Sequence, residues 1–375
     1  MKEDISHVGL DVHKQFIQVA LLLPDRDEPL EWRVANEPTK VSGMIRKIGR
    51  LTPGPVQLCY EAGPCGYELS RKLNAVVGFS CQVIAPSLIP RKPGDRIKTD
   101  RRDAKKLALY LRAGLLTEVR PPSSEDEARR ELSRARGAAK KDETAAKHRV
   151  LKFMLRHDRI YRGGKSNWTQ MHYAWLRQQR FDNPLLQLTC DEYLWALEHV
   201  QERVKKLEAA LEEAAQDDAV REAVELLGCF KGIGAVSAMT IVSELYSFER
   251  FDSPMGLMAF LGMTPSEYSS SGDPKRGGIT KAGNGRLRRV MVEAAQNCVR
   301  SPRAGVKLTR RRADQPAWAV ALADKAQLRL YRRFHHLTFK GKTHNKAIMA
   351  VAREFVGFIW AMLTQHRFNQ LEVGT

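Results

Sequence analysis

The sequence predicts an α/β domain followed by a longer, mainly helical chain, and three observations lead to this fold class. Short apolar runs rich in β-formers alternate with helical repeats over the first 120 residues. The chain from residue 121 onward has the pattern of long, charged helices. Hydrophobic residues make up 43% of the 375 positions, which is ordinary for a globular protein and sufficient for two or three domains. We therefore divide the chain into regions 1–120, 121–222 and 223–375.

The first region has the pattern of strands separated by helices. Three closely spaced apolar runs predict strands in an antiparallel meander, at 8–12, 16–23 and 32–35. The elements predicted next are, in order, a helix at 40–51, a strand at 56–60, a helix at 67–73, a strand at 81–84 and a helix at 102–116. The last helix has an apolar stripe formed by Leu107, Leu111 and Leu115. This order matches a ribonuclease-H-like fold, although many mixed α/β domains share parts of it.

The second region follows a boundary at the Pro-Pro-Ser-Ser run of 121–124. Between residues 190 and 214 the apolar residues recur at alternating gaps of three and four, which is a heptad seam. A dimerising coiled coil and a helix packed within one chain both give this pattern, because antiparallel helical hairpins have the same seam. Trp168 and Trp175 are seven residues apart, which predicts a shared helix face packed in the core, with base stacking as the alternative.

The third region combines helices with glycine-rich turns. A run at 227–238 joins two helical stretches through Gly232 and Gly234 and resembles a helix-hairpin-helix turn, in which backbone amides approach a phosphate. A plain turn between helices would use the same glycines. A serine-rich loop at 269–272 precedes a basic, glycine-rich stretch and an amphipathic helix at 287–298. The tail is basic from residue 340 and then amphipathic to about residue 364.

Four acids occupy positions where the predicted elements meet. Asp11 and Glu61 end two strands, while Asp100 and Asp103 bracket the start of a helix and share one face of it. The first and fourth strands are neighbours in a ribonuclease-H-like sheet, so these carboxylates would converge. Their mutual repulsion would be relieved by two Mg²⁺ ions about 4 Å apart, which could clamp a phosphodiester. Ordinary surface acids are the alternative, but the strand ends and the helix start favour a metal site.

The net charge of +19 indicates an anionic partner, and the phosphate backbone of nucleic acid is the first candidate. Eight Lys or Arg residues and only three acids lie between Arg91 and Lys106. Solvated helix charge is the competing interpretation. We expect nucleic-acid contacts from the following residues near the acids and in the third region: Lys14, Lys98, Arg101, Arg102, Lys275, Arg276, Lys281, Asn284, Arg286 and Arg288.

Other partners and compartments are less consistent with the sequence. No stretch approaches the roughly 20 apolar residues of a membrane span, and the best one, 356–363, is short. The N-terminus lacks the apolar core of a signal peptide. None of the six cysteines forms a CxxC pair, so we expect reduced, mostly buried thiols without zinc or disulfides. These features predict a cytoplasmic protein without a membrane partner.

After the four acids, a serine is the second residue type that could take part in catalysis. Ser271 precedes Gly272 in the polar loop, and the cations Lys275, Arg276 and Lys281 follow closely enough to neutralise a phosphate. A serine hydroxyl is a poor nucleophile unless a metal ion or a base activates it. On its residues alone, this segment is better explained as a polar loop than as a nucleophile.

Three motifs together resemble the signatures of the DEDD transposases of bacterial insertion sequences. They are GLDVHK at 9–14, YEAG at 60–63 and KTDRRDA at 98–104. The stretch 227–294 resembles the second conserved domain of that family. The matches occur in the family order and together cover roughly half of the chain, which makes the resemblance more specific than any single motif.

The resemblance implies a RuvC-like N-terminal domain, a coiled-coil insertion and a serine-bearing transposase domain. It implies recombination between an element end and target DNA, guided in characterised members by a structured bridge RNA. The four acids are then expected to bind Mg²⁺, and Ser271 is expected to form a phosphoserine link to DNA, with Ser269 and Ser270 as neighbouring candidates. The acids and the serine are expected to meet across protomers of a homo-oligomer, a dimer or tetramer that acts at the bacterial nucleoid.

Two other functions remain as alternatives to a site-specific recombinase. A RuvC-like nuclease that hydrolyses branched DNA with water would need Asp11 but not Ser271. A non-enzymatic nucleic-acid-binding protein would use the basic helices and the glycine turn, and would tolerate Asp11→Asn. Since the second alternative gives the four acids no task, the sequence favours a DNA recombinase of insertion-sequence type.

Overall fold

The structure is a computed structural model that describes residues 4–90, 99–164, 166–268 and 275–373. The chain divides into two compact units, 1–122 and 123–375. The first unit is a mixed α/β structure, and the second is mostly helical. The α/β-plus-α fold class predicted from the sequence is therefore confirmed at this level.

The first unit contains six strands and three α-helices among its described residues. In chain order these are β1 (Ser6–Val12), β2 (Phe16–Leu22), β3 (Leu30–Ala35), α1 (Pro38–Leu51), β4 (Val56–Glu61), α2 (Glu68–Asn74), β5 (Phe79–Ile84), α3 (Asp100–Arg112) and β6 (Glu118–Val119). The strand order in the sheet is β3-β2-β1-β4-β5-β6. β1 to β3 form the expected antiparallel meander, whereas β1, β4 and β5 are parallel.

The two faces of this sheet pack against different helices. The residues Val8 and Leu10 of β1 belong to the larger core, which also contains Met44 and Ile48 of α1 and Leu73 of α2. The opposite face lies under α3, whose buried residues pack against Ala20, Leu22, Cys59 and Ile84. Residues at odd positions of β1 therefore face α3, as the period of two in a strand requires.

The helix α3 is shorter than the sequence predicted. It ends at Arg112 because Gly114 adopts a left-handed conformation with φ of 65°, which stops the helix. Leu107 and Leu111 are buried as expected, but Leu115 lies beyond the helix and is half exposed. The prediction of Leu115 on the apolar stripe is therefore wrong.

The second unit contains ten α-helices and one β-hairpin among its described residues. They are α4 (Ser124–Arg156), α5 (Gln170–Gln178), α6 (Pro184–Ala214), α7 (Asp218–Gly228), α8 (Ala235–Leu245), α9 (Pro254–Phe260), β7 (Pro265–Tyr268), β8 (Lys275–Ile279), α10 (Gly285–Cys298), α11 (Val306–Arg312), α12 (Ala317–Phe339) and α13 (His344–Val373). Helices α7, α8, α10, α12 and α13 supply most of the core.

Helices α4 and α6 form an antiparallel hairpin within the chain. Nε of Arg136 in α4 donates to Glu208 in α6 at 3.0 Å. One to two turns later in α4, Asp142 accepts a hydrogen bond of 3.4 Å from Arg203, which lies earlier in α6. Several residues of the heptad seam are buried in the hairpin, among them Cys190, Leu197 and Val200. The seam therefore packs inside one chain, and a coiled coil between chains stays a prediction.

The two tryptophans of the second region do not share a helix face. Thr169 caps α5, so Trp168 lies before the helix, with φ of 69°. Both rings nevertheless surround the buried His172, at centroid distances of 5.1 Å for Trp168 and 5.8 Å for Trp175. The expectation of core packing is correct, although the geometry predicted for it is wrong.

The glycine turn between α7 and α8 is occupied by contacts within the chain. Gly232 has φ of 93°, and a Cβ atom there would lie 2.6 Å from the carbonyl oxygen of Ala294 in α10. The carbonyl oxygens of Cys229 and Ile233 accept hydrogen bonds from Arg312 and Arg311 respectively. A phosphate-binding role for this turn stays a prediction.

Helix α13 is the longest apolar helix of the described chain. Its residues 344–365 are long and apolar enough to cross a membrane by length and composition alone, a longer stretch than the sequence expectation of 356–363. Nine of these 22 residues are buried, and Val351, Phe355 and Ile359 lie in the core of the second unit. The six cysteines are free, and five of them are buried, as expected.

Candidate active site

Strand pairing places Asp11 beside Glu61. β1 and β4 are parallel, and the last residues paired between them are Leu10 and Tyr60. Each of these residues is followed by an acid, so Asp11 and Glu61 lie side by side at the carboxyl ends of the two strands. Both positions are on the face that α3 covers, because Gly9 contacts α3 directly and Cys59 is buried beneath it. The register therefore places the two positions next to each other, and the convergence of their carboxylates stays a prediction.

A glycine two residues before Asp11 brings α3 close to the sheet. A Cβ atom at Gly9 would lie 2.1 Å from the Ala104 carbonyl oxygen and 2.5 Å from the Ala108 nitrogen. The helix backbone therefore rests directly on the strand at this point. One turn before Ala104 lies Asp100, the first residue of α3, so the same close approach carries Asp100 to the end of β1.

The closest group at this edge consists of Asp11, His13 and Asp100. His13 Nε2 lies 3.1 Å from Asp11 Oδ2 and 3.4 Å from Asp100 Oδ1. One ligand atom from each of the three residues lies within 4.8 Å of the other two. Arg33 on β3 approaches the other oxygen of Asp100, with NH2 to Oδ2 at 3.5 Å. Glu61 and Asp103 are not members of this group of three.

Sequence reasoning missed the roles of His13 and Arg33. The ring of Phe16 lies 4.7 Å from the His13 ring, and the Arg33 guanidinium lies 4.0 Å above the same phenyl ring. Asn36 Nδ2 also donates to the His13 carbonyl oxygen at 2.8 Å. The available signal was the position of His13, two residues after a strand-end acid in the GLDVHK motif. Arg33 had no such signal, because only the β2–β3 pairing brings it near Asp100.

The pKa of Asp11 is affected by burial and by the charged groups that lie around it. Burial raises the pKa of Asp11, the hydrogen bond and charge of His13 lower it, and the neighbouring charges of Asp100 and Asp103 raise it again. The net direction is upward. Asp103 therefore acts on Asp11 electrostatically, although it lies outside the closest group.

The donor set of this cluster fits a divalent metal ion. Two ligands that each lie about 2.1 to 2.2 Å from one ion are roughly 4.3 Å apart at most. The three ligand atoms lie within 4.8 Å of one another, so small side-chain movements bring them to such separations. Carboxylate oxygens suit Mg²⁺ and Mn²⁺, and an imidazole nitrogen is also available here. A positive ion would reduce the repulsion among the carboxylates.

The cations predicted to bind nucleic acid near the acids have mixed surroundings. Lys14, Arg101 and Arg102 are exposed. The guanidinium of Arg101 is paired with Glu31 across the sheet edge. Lys98 lies outside the described residues. The three described cations lie within two residues of His13 or Asp100 along the chain, and none of their contacts identifies a ligand.

The predicted nucleophile Ser271 lies outside the described residues, as do Ser269 and Ser270. The chain on either side forms β7 and β8, an antiparallel hairpin that the sequence did not predict. Lys275 and Arg276 belong to β8 by their backbone, and their side chains are outside the described set. Beyond the hairpin, the segments 260–262 and 281–284, which we call the stem, remain joined, because Lys281 N donates to Gly262 O and Asn284 N donates to Phe260 O, both at 3.0 Å.

Three further predicted contact residues have structural partners at this stem. Asn284 Oδ1 accepts from the backbone nitrogens of the first turn of α10, and its Nδ2 donates to Glu244 at 2.9 Å. Arg288 donates to Leu261 O at 2.7 Å. Arg286 Nε lies 4.0 Å from the same Glu244. Lys281 is exposed and has φ of 56°, an uncommon backbone conformation for a residue other than glycine.

The buried Glu244 links this stem to the long helix α4. Its carboxylate accepts two hydrogen bonds from Arg134, at 2.9 and 3.1 Å, in addition to the one from Asn284. Burial raises the pKa of Glu244, but the hydrogen bonds from Arg134 and Asn284 outweigh burial and lower it overall. The segment on the C-terminal side of the serine loop is therefore anchored to the core through a charged, hydrogen-bonded group.

Comparison with known proteins gives consistent matches along the chain. A sequence model described as a transposase of the DEDD, IS110 type matches residues 8–157, and one for the transposase IS116/IS110/IS902 family matches 224–309. The protein y4qE of Sinorhizobium fredii (strain NBRC 101917 / NGR234), named as a transposase, is 38% identical over 364 residues, covering 96% of this chain and 89% of its own. The transposase for insertion sequence element IS1533 of Leptospira borgpetersenii is 35% identical over 340 residues, covering 90% and 97%. The transposase for insertion sequence element IS1111A of Coxiella burnetii (strain RSA 493 / Nine Mile phase I) is 22% identical over 292 residues, covering 77% and 72%.

Proposed function

The chain belongs to the IS116/IS110/IS902 family of insertion-sequence transposases, and from this premise we propose that it recombines DNA through a phosphoserine intermediate. Membership in this family implies an enzyme that cuts and rejoins DNA. The finer proposal assigns metal binding to Asp11, Glu61, Asp100 and Asp103, and the covalent step to Ser271. The observation that carries it is the meeting of Asp11, His13 and Asp100 at one edge of the sheet.

We further propose that the first unit is a ribonuclease-H-like, RuvC-like domain. The order β3-β2-β1-β4-β5, with β2 antiparallel to its neighbours, supports this assignment. The proposed division of labour is a catalytic domain at 1–120, a helical region at 121–222 and the serine-bearing domain at 223–375. Asp11 and Glu61 lie at the carboxyl ends of β1 and β4, and Asp100 and Asp103 lie in the first turn of α3.

The proposed cofactor is Mg²⁺, held by the four acids. A bound divalent ion would supply charge stabilisation to the phosphate and lower the pKa of a coordinated hydroxyl. The residues themselves perform the positioning. Gly9 lets α3 approach β1, and that approach carries Asp100 to Asp11. The exposed cations Lys14 and Arg102 raise the local concentration of polyanions.

In the proposed covalent step, Ser271 Oγ forms a bond to the phosphorus of a phosphodiester while the bond from that phosphorus to one deoxyribose oxygen breaks. The serine hydroxyl loses a proton, and the departing oxygen gains one to become a free hydroxyl. Attack by a hydroxyl of the new partner strand reverses these changes and restores the serine. The phosphodiester energy is conserved in the Ser–phosphate bond, so the strands are rejoined without a nucleotide cofactor.

The proposed partners are the element ends and target DNA, a structured guide RNA and further copies of this chain. Base pairing with a guide would supply sequence choice, so the protein would need backbone and shape contacts more than base-edge contacts. An oligomer, a dimer or tetramer, would allow the acids of one protomer to act with Ser271 of another. We place this activity in the bacterial cytoplasm, at the nucleoid.

The experiment uses the full chain expressed with the DNA that naturally flanks its gene. Protein–DNA adducts that resist detergent and are removed by protease are extracted and quantified, and the modified peptide is identified by mass spectrometry. Ser271→Ala should remove the adducts. Ser269→Ala is the matched control, because it removes the same group two residues away and should retain them.

Three outcomes decide between the proposed function and its alternatives. Adducts at wild-type yield in Ser271→Ala would overturn the assignment of the nucleophile. Strand cleavage by Ser271→Ala together with its loss in Asp11→Asn would favour a hydrolytic nuclease instead. Full recombination by Asp11→Asn would remove the acid cluster from the reaction.

A further inference from the structure

We propose that His13 is a metal-facing residue of the acid site, and that its ring nitrogen shifts the preference of the site from Mg²⁺ toward Mn²⁺. This inference rests on the proposed function, in which the acids bind a divalent ion. It adds a fifth residue, of different chemistry, to the four acids that the sequence motifs indicate. It also makes a statement about metal choice that the acids alone would not support.

The geometry places one nitrogen of His13 between two carboxylates. Nε2 lies 3.1 Å from Asp11 Oδ2 and 3.4 Å from Asp100 Oδ1. These three atoms belong to the one group of potential metal ligands found in the described parts of the chain. The imidazole therefore points at the position between the acids that a cation would occupy.

The loop between β1 and β2 holds the imidazole in this position. The backbone nitrogen of His13 donates to Phe16 O at 2.8 Å, and the His13 carbonyl oxygen accepts from Asn36 Nδ2 at 2.8 Å. Both backbone polar groups of His13 are thus fixed. The Phe16 ring, 4.7 Å from the imidazole, supports one side of it. A ligand held in this way loses little conformational freedom when it binds.

The chemistry of the nitrogen determines the expected preference. Mg²⁺ is a hard ion that selects oxygen ligands and retains several waters. Imidazole nitrogen binds first-row transition ions more strongly, and Mn²⁺ accepts both oxygen and nitrogen donors. A neutral imidazole carries a single proton, and with that proton on Nδ1 it offers the Nε2 lone pair to an ion. The Asp-His-Asp set should therefore bind Mn²⁺ more tightly, relative to Mg²⁺, than an all-carboxylate set.

A direct test is available on the wild-type protein. Pulsed electron paramagnetic resonance on the full chain loaded with one equivalent of Mn²⁺ detects nitrogen bonded to the ion. We expect a hyperfine coupling from an imidazole nitrogen, and we expect its loss in His13→Gln. A wild-type spectrum without nitrogen coupling, or a coupling that persists in His13→Gln, would overturn the proposal.

Metal preference provides the second readout. The Kd for Mn²⁺ is measured from the signal of the free ion, and Mg²⁺ is then titrated as a competitor. His13→Gln and His13→Ala should each lower the ratio of Mn²⁺ to Mg²⁺ affinity by about 10-fold. Arg33→Gln is the matched control, because Arg33 contacts Asp100 at 3.5 Å but offers no ligand atom, so the ratio should stay within about twofold of wild type. An unchanged ratio in both His13 variants, with native circular dichroism, would refute the role.

Failure of this inference is distinguishable from failure of the proposed function. Asp11→Asn removes charge from the acid site and should weaken Mn²⁺ and Mg²⁺ binding together. If Asp11→Asn weakens both ions while the His13 variants keep the wild-type ratio, the acid site stands and the role of His13 is wrong. Wild-type affinity of Asp11→Asn for both ions would instead overturn the metal site itself.

Discussion

The contact between Gly9 and α3 gives a sharp prediction, because one added methyl group should disturb the whole acid site. In Gly9→Ala the new Cβ atom would lie 2.1 Å from Ala104 O and 2.9 Å from Leu107 Cβ. An unstrained contact of carbon with a carbonyl oxygen is about 3.3 Å. The helix must therefore retreat by roughly 1 Å. Overpacking of this kind costs about 1 to 3 kcal/mol of the free energy of unfolding.

The same retreat should impair chemistry more than stability. Asp100 lies one turn from Ala104, so it moves away from Asp11 together with the helix. A misplacement of about 1 Å in a catalytic group can reduce a rate about 100-fold. We therefore expect recombination by Gly9→Ala, measured with the flanking DNA of the gene, to fall by about that factor, while urea unfolding followed by circular dichroism shows the smaller loss of stability.

Gly43→Ala is the matched control for this prediction. Gly43 lies within α1, and a Cβ atom there would meet nothing within 4 Å. Alanine in place of glycine in a helix interior should stabilise the protein by about 0.5 to 1 kcal/mol, and activity should be unchanged. The reasoning would be refuted if Gly9→Ala matched Gly43→Ala in both its urea midpoint and its recombination rate.

Two further predictions concern acids of the second unit. Glu244→Ala removes a buried carboxylate with three hydrogen bonds and should lower the free energy of unfolding by about 2 to 3 kcal/mol in urea, whereas the exposed Glu131→Ala should change it by less than about 0.5 kcal/mol; equal effects would contradict the anchoring role. For Glu143, burial raises the pKa, but hydrogen bonds from Lys140 and Lys147 outweigh it and lower the pKa from 4.5 to about 2. Since the folded-state pKa is the lower one, the stabilisation by Glu143 is present above about pH 4.5 and is lost as the pH falls toward 2. The difference in urea midpoint between the wild type and Glu143→Gln should shrink as the pH falls across that range. A difference that grew on acidification would contradict a lowered pKa of Glu143 in the folded state.

The sequence predicted the part of the acid site that depends on single strands and helices. Asp11 and Glu61 follow short apolar runs, and Asp100 and Asp103 lie at the start of a helix that Thr99 caps, so local patterns placed each acid near the end of an element. Convergence then required only that the first and fourth strands be neighbours, which the predicted order of elements supplied. In the structure the first and fourth strands are paired neighbours.

The remaining features depend on pairings that no local pattern encodes. Arg33 reaches Asp100 only because the β2–β3 register and the packing of α3 bring residues 67 positions apart together. The hairpin of β7 and β8 was missed because its strands have only four and five residues, and because β8 contains two glycines. The end of α3 at Arg112 was missed because the leucine periodicity continues past the Gly114 turn that stops the helix.

The GLDVHK motif can be understood as three physical requirements at alternate positions of β1 and the loop that follows it. Gly9 lacks a side chain, so α3 approaches closely; Asp11, two residues on and on the same face, meets the acid that the helix carries; His13, two residues further, places a nitrogen between the two carboxylates. Like charges held at such distances oppose folding unless a positive or hydrogen-bonding group is present. His13 and Arg33 supply that group in the structure. The close approach of the helix and the repulsion between Asp11 and Asp100 therefore have a single cause, namely the contact of a glycine with a helix backbone.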